Sequence, residues 1–532
     1  MKKTRRDFLK EASIAAAALA IPQRGVLLAT PSVSLQQGVD PFFREVCILA
    51  LDAARASNAA YADVRIVNRR TQYIEANNDQ LNEPAETETL GIGIRALVDG
   101  AWGFASSNSV TRQAGRRVAE EAVARARANS RTVVRPVELA PVDAYPGGTW
   151  TSPIRSNPFE VPVAEKSELL LDANNAAMSA QSVRSVKSFL SFVRTEKILA
   201  STEGTIISQT VFQTWPSLTV TAGSDDGSST ASRSTGEVAP MGLGYEHVAS
   251  ANLAERAIEA AHEAVEGLSA RSVEPGIYDL VLDRTHLYRT IHETLGKATE
   301  LDRALGLTDP DSRPAFLSNP AEVIGSLRLG PEFMNVLCDR TQRGGLATVG
   351  WDDEGVPQDS WPIVRDGVFV DYQTTRDLVA PIADLTGTRY SHGCAASESW
   401  NRIQLPRMPN VSLLPSEEDY VVDDLIAATE RGIYIKGTGA VSVDLARDVF
   451  QFGGDACYEI QGGRIVGRVK DVAYRDTIVE FWNSMDMLGG SRGYALGGLI
   501  DDMKGDPAQA HAASHGCPPA RFSRRTVFNT AR

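Results

Sequence analysis

Cysteine is scarce in this chain of 532 residues: five in all, Cys47, Cys338, Cys394, Cys457 and Cys517, with no C-x-x-C pair. That excludes a disulfide-built scaffold, and in an oxidising compartment the odd count leaves at least one thiol free. Positive charge is also in short supply. Lys and Arg number 54 against 67 Asp and Glu, a net charge of −13, which argues against a nucleic-acid partner. No run of like charge is long enough to suggest a disordered tail. The apolar run from Ala12 to Ile21 is too short and Ala-rich for a membrane span, which needs ~20 apolar residues. There is no G-x-S-x-G elbow and no P-loop. Gly91-Ile92-Gly93-Ile94-Arg95-Ala96 fits G-x-G-x-x-A, but it leads into a strand rather than a helix, so no nucleotide cofactor is expected.

What is present begins at the N-terminus. Thr4-Arg5-Arg6-Asp7-Phe8-Leu9-Lys10 fits a twin-arginine export signal, which implies export to the periplasm or beyond the cytoplasmic membrane. Residues 1–34 form the expected signal segment, with cleavage between Ala20 and Ser34. The remainder, roughly 500 residues, is too long for one core and should divide into two or three domains.

The periodicity predicts an α+β fold, with an α/β N-terminal domain followed by a β-rich, largely antiparallel C-terminal domain. Phe43, Val46, Cys47, Ala50 and Ala54 share one helical face. Alternation over Val64–Ile66 and Tyr73–Glu75 reads as strands, Asp99-Gly100 as a tight hairpin turn, and Thr111 as the cap of a helix running to about Ala128. These features define a domain over 40–135. A Pro-containing stretch from Val134 to Pro158 opens a linker and central region over 136–275, with helices at Val163–Ala180 and Ala254–Leu268 around alternating strands. Short β runs between Gly-rich turns fill 276–525, a curled or barrel-like body. No solenoid repeat is visible.

The chemistry concentrates in His292-Glu293-Thr294-Leu295-Gly296-Lys297, running on to Glu300. In a zinc-peptidase helix a His binds the metal, the next Glu is general base, and a second His one turn on completes the pair. Lys297 stands where that second His is expected, and a charged ammonium has no lone pair for zinc. A plainer reading makes Glu293 and Lys297 a surface pair four residues apart, worth ~0.2–0.5 kcal/mol. His262-Glu263, inside an amphipathic helix, reads as a solvated face. Ser-His-Gly-Cys occurs twice, at 391–394 and 514–517. His392, Cys394, His515 and Cys517 could form a closed zinc site, or the two Cys could bridge; two unrelated loops are the third reading.

The segment resembles the catalytic helix of the TldD/PmbA metallopeptidases, H-E-x-x-x-H-x-x-E, matched at His292, Glu293 and Glu300 and departing at Lys297. Further matches are Trp351-Asp352-Asp353-Glu354-Gly355-Val356, Arg365-Asp366-Gly367-Val368, Arg407-Met408-Pro409-Asn410, Ser514 to Phe522, and Gly91 to Ala105. They occur in the family's order across most of residues 40–525. The family's third ligand is a Cys ahead of K-G-x-P-x-Q. Lys504-Gly505-Asp506-Pro507-Ala508-Gln509 matches that stretch and puts Asp502 at the Cys position. The resemblance implies peptide hydrolysis by a zinc-bound water, with His292 and Asp502 as ligands, Glu293 as base and Glu300 supporting the ligands from outside. It equally implies a homologous subunit as partner in a homo- or heterodimer, because family members work as two such subunits and one lacks the metal motif. The chain is then either a peptidase with a degenerate site or a silent subunit beside an active paralogue. The two departures are either independent decay of an unneeded site or a pair, Lys297 and Asp502 standing as ammonium and carboxylate where metal and thiolate stood; an active peptidase needs Lys297 neutral or swung away.

If Arg5 and Arg6 form the export signal, Arg5→Lys with Arg6→Lys keeps the folded protein in the cytoplasm. Cell fractionation that finds the double variant in the periplasm would refute the signal.

Overall fold

The structure is a computed structural model that describes residues 38–308 and 315–531; the twin-arginine segment lies outside them. Asp40 starts the first helix, Pro41–Ala56, by accepting the amide hydrogens of Phe42 and Phe43, and Pro41 fits the first turn. Its buried face is Phe43, Val46, Cys47, Ala50, Leu51 and Ala54. Thr111 caps helix Arg112–Asn129 through the amide of Ala114. Asp99 (φ 48°) and Gly100 (φ 76°) both take the left-handed backbone that a two-residue hairpin of right-twisted strands requires.

One sheet of eight strands carries the whole N-terminal half. Strand Tyr61–Asn77 lies at its centre, paired antiparallel with Ala85–Val98 on one side and with the distant Val183–Ser201 on the other. The strands read as an N-terminal and a central region therefore share one sheet. Even the Pro-rich connection contributes, since Gly148–Thr151 adds to it as a parallel strand beside Ile206–Gly223. Strand 61–77 keeps register throughout, so Val64, Ile66, Ile74 and Ala76 share one face. Ile74 and Ala76 pack there with Leu170 and Ala173 of helix Val163–Met178 and with Ala257 and Ala261 of helix Leu253–Leu268. Asp63 and Arg65 point the other way and are buried as well.

What buries them is the C-terminal half. Its main sheet has ten strands in the order 441–443, 449–453, 472–477, 520–529, 276–282, 431–436, 456–461, 464–470, 271–272, with 485–488 on 520–529. Most pairs are antiparallel; 276–282 with 431–436 and 464–470 with 271–272 are parallel. The two end strands do not pair with each other, so of the curled sheet and the barrel-like body expected, the open sheet is the one that forms. A smaller sheet of Val336–Asp339, Ser360–Arg365, Val368–Phe369 and Asn410–Leu413 and a long hairpin, Ala495–Lys504 with Gln509–Cys517, flank it. Gly367 permits the 365–368 turn because a Cβ there would stand 2.2 Å from the carbonyl oxygen of Gly330.

The halves meet through charge. Asp352, Asp353 and Glu354 are all buried on the loop 350–356. Asp353 takes Arg65 (3.1 Å) and Lys197 from the N-terminal sheet, with the Ser397 hydroxyl. Glu354 takes Arg95 at 3.0 Å, and Arg95 also holds Asp63 at 2.8 Å. The Arg95 guanidinium lies 3.9 Å from the Trp102 ring. Asp352 accepts the amides of Glu354, Val356 and Ala395. Removing one partner of a buried pair costs ~3–5 kcal/mol. Arg95→Leu, which strands Asp63 and Glu354, should therefore lower unfolding stability by about that amount in urea titration; a loss below ~1 kcal/mol, the scale of an exposed pair, would deny the junction its weight.

Candidate metal centre

Helix Arg284–Ile291, capped by Asp283 at the amide of Thr285, leads directly into a π-turn, His292–Gly296. The wider turn closes through the Lys297 amide on the His292 carbonyl (3.0 Å). All five residues are buried. Gly296 leaves room for Met408: a Cβ would stand 2.4 Å from its sulfur, so the Met side chain would have to shift. Its carbonyl accepts the Gln373 side-chain amide at 2.6 Å, and Gln373 also reaches the Thr299 hydroxyl.

His292 is fully buried. Its Nδ1 lies 2.9 Å from His515 Nε2, and His515 Nδ1 lies 3.0 Å from the Val411 carbonyl. A carbonyl only accepts, so His515 donates from Nδ1. Burial, and then the neighbouring His292, hold His515 well below its ordinary value and hence neutral. Its Nε2 must then accept from His292 Nδ1. That relay turns His292 Nε2 toward Asp502, whose Oδ1 is 3.6 Å away. The gap is too long for a hydrogen bond, and Nε2 is left without a partner.

The ammonium of Lys297 occupies the space between the acids. It lies 3.1 and 3.2 Å from the two Glu293 oxygens and 3.4 Å from Asp502 Oδ1. Arg407 closes Asp502 from the far side: its guanidinium stands 3.1 Å from Oδ2 and donates to the Asp502 backbone carbonyl. The Oδ2 contact is one of charge, since its angle makes no hydrogen bond. Arg447 donates to Glu293, and Arg289 stands 3.6 Å from it. Burial raises the proton affinity of both acids, but the groups around them outweigh it. Lys297, His292, Arg447 and Arg289 bring Glu293 down to about 2. His292, Arg407 and Lys297 hold Asp502 well below the usual carboxylate range.

Glu293 and Lys297 are thus no surface pair: Glu293 is 6% exposed. Glu300 is also buried, yet it pairs with Lys504 (3.0 Å) and Arg303 rather than supporting His292. The two Ser-His-Gly-Cys copies do not converge. Cys394 and Cys517 are free, buried thiols, so no disulfide joins them, and their His neighbours face different partners. His392 is held by Asp359 and Asp371, whereas His515 serves His292. The second His-Glu is only half solvated, since Glu263 binds Arg233 and Lys436. Arg289, Arg447 and Gln373 carry the site without any sequence expectation attached to them. Arg289 alone had a readable signal, one turn before Glu293 on the same helical face.

A zinc ion needs three or four lone-pair donors. Among the described residues no three His, Cys, Asp or Glu side chains converge to hold one. The centre offers His292 Nε2 and Asp502, with a fixed cation between Asp502 and Glu293. These residues do not fit a catalytic zinc.

Three family models match in order: PmbA/TldA metallopeptidase domain 1 over 62–126, the central domain over 156–268 and the C-terminal domain over 275–528. A metalloprotease of Methanothermobacter thermautotrophicus is 27% identical over 474 residues, 88% of this chain and 96% of its own. A metalloprotease of Methanocaldococcus jannaschii is 25% identical, covering 80% and 89%. The metalloprotease TldD homolog of Haemophilus influenzae is 24% identical, covering 83% and 87%. The fold is shared with TldE of Thermococcus kodakarensis (TM-score 0.67, 14% identity, covering 91% and 99%). It is also shared with a putative modulator of a DNA gyrase from Thermotoga maritima (TM-score 0.69, 16% identity, covering 91% and 100%).

Because Lys297 bridges two acids, its contribution should be non-additive. Lys297→Met and Asp502→Leu should each destabilise by ~3–5 kcal/mol. The double variant should fall short of their sum by ~0.5–3 kcal/mol, the coupling of residues in contact. Strict additivity in a denaturant cycle would show that the contact carries no energy.

Proposed function

The chain carries the three PmbA/TldA metallopeptidase domains in order, and from that premise we propose that it is a subunit of this fold that holds no catalytic zinc and serves by pairing with a competent homologous subunit in peptide hydrolysis. One observation carries this reading: the Lys297 ammonium bridges Glu293 and Asp502 where lone pairs are required. A general base works best with a pKa near the operating pH. Glu293, held at about 2 by surrounding cations and engaged by Lys297 and Arg447, is a poor acceptor for a water proton. The pairing itself follows from the family resemblance, in which one of two homologous subunits lacks the metal motif. Export through the twin-arginine signal belongs to the same proposal.

A second reading has one observation in its favour. His292 Nε2 is buried without a partner and faces Asp502, so a Lys297 that swung away would expose two ligands rather than none. The chain would then be a peptidase with a weakened metal site.

Metal analysis of the purified protein separates the two. The unmodified chain should contain substoichiometric zinc, unchanged by His292→Ala. Lys297→His with Asp502→Cys should recover about one zinc, since the rest of the turn is retained. Stoichiometric zinc in the unmodified protein, lost on His292→Ala, would overturn the proposal and establish the second reading.

A further inference from the structure

Away from the metal centre, His392 is held in an unusual way. Its Nδ1 lies 2.8 Å from Asp359 Oδ2 and its Nε2 3.1 Å from Asp371 Oδ2, so both ring nitrogens meet carboxylates. The ring is stacked flat on Trp361, centroid to centroid 4.1 Å at 4°. A neutral imidazole can donate from one nitrogen only, so facing a carboxylate with each favours the doubly protonated ring. The other charged group nearby is Arg340, which donates to the His392 carbonyl (3.0 Å) and adds positive charge near Asp359.

Asp371 begins a strap, residues 371–376, that runs on to the π-turn. Trp361 Nε1 donates to the Tyr372 carbonyl, and the Tyr372 hydroxyl donates to the Leu317 carbonyl. Gln373 then ties the strap to the end of the π-turn and the residues after it: its side chain donates to the Gly296 carbonyl and the Thr299 hydroxyl, and its amide to the Thr299 carbonyl. It also accepts the Leu301 amide on its own carbonyl. Thr374 returns to the 391–394 loop through the His392 and Cys394 amides. The Arg376 amide ends the strap on Glu354 at 2.8 Å. One end of the strap is therefore fixed by the junction between the halves, and the other by His392.

We propose that His392 is a pH-governed clamp on the strap 371–376, and that through Gln373 its charge sets how firmly the π-turn bearing His292 is held. His392 is a positioning residue in this role, and the proposal is independent of whether the centre binds metal. Burial disfavours the charged ring, but the two carboxylates outweigh it and move His392 above its ordinary 6.5. A group raised on folding lends its full stabilisation below its unfolded value and loses it as pH climbs through the folded value. The clamp is accordingly tight in mild acid and loosens toward alkaline pH.

Hydrogen exchange on the full chain, corrected for intrinsic rates and followed from about pH 5 to 9, tests this; imidazole titrates there, and so does Glu354, raised by burial to about 7, which accepts the Arg376 amide at the other end of the strap. Protection of the segment 295–301 should fall with pH in the unmodified protein, with a midpoint above 6.5. In His392→Gln the part of this dependence due to His392 should vanish, leaving lower protection in mild acid than in the unmodified protein. Asp371→Asn retains the Trp361 stack and the Asp359 contact, and should move the midpoint downward, so the test survives a failure of His392→Gln to fold. A flat profile in the unmodified protein, the same slope in His392→Gln, or an unmoved midpoint in Asp371→Asn would overturn the clamp.

Discussion

Three consecutive acids almost without water around them, Asp352, Asp353 and Glu354, are the constraint on which the architecture turns. Buried carboxylates are costly unless cations and amides reach them. Here the cations come from strands far apart in the chain: Arg65 and Arg95 from neighbouring strands, Lys197 from the strand on the other side. The two halves could not separate without parting Asp353 from Arg65 and Lys197 and Glu354 from Arg95. This explains why the second face of the N-terminal sheet buries Asp63, Arg65 and Arg95 among apolar residues such as Val67 and Leu199.

The same logic, on a smaller scale, organises the centre. Asp502 and Glu293 come from a hairpin strand and a π-turn, and neither could be buried alone. Lys297 serves both at once, with Arg407 completing Asp502 and Arg447 completing Glu293. The arrangement is held by charge balance, so the turn keeps its conformation with a cation supplied by the chain itself. His292 is fixed from behind by His515 and does not depend on that cation for its orientation.

Local features were legible in the sequence because local chemistry decides them. The cap at Thr111, the Asp99-Gly100 turn and the apolar face of 41–56 follow from side-chain hydrogen bonding, positive φ and helical period. What could not be read was which distant strands meet. Strand 61–77 joins 183–201 in one sheet, a pairing across the boundary near 135 that nothing in the Pro content announces. The π-turn was hidden for a related reason. Its sequence reads as an ordinary helix, and the widening is tied to the close approach of Met408 to Gly296 and to Gln373 taking the Gly296 carbonyl, both from other elements. The repeated Ser-His-Gly-Cys misled because identical tetrapeptides carry no information about whether their loops share a neighbourhood. At the centre, the residue types at 292, 293, 297 and 502 were visible beforehand; the arginines that determine their charge state were not.

Why position 502 holds a carboxylate can be argued from the thiols elsewhere in this molecule. All five cysteines are buried. Burial pushes Cys47 and Cys457 up to about 12 and the others in the same direction. A cysteine at 502 would start from an ordinary value of about 8.5 against about 3.9 for an aspartate, and burial would raise it further, so the same neighbours would have several units more to overcome before it ionised. While the thiol stayed neutral, Lys297 would face one acid, Glu293, which Arg447 and Arg289 already attend, and the local balance would tip toward unpaired positive charge. A carboxylate stays ionised under the same burial because His292, Arg407 and Lys297 favour its charged form. An ammonium at 297 and a carboxylate at 502 therefore suit each other under this burial, which a neutral thiol at 502 would not match.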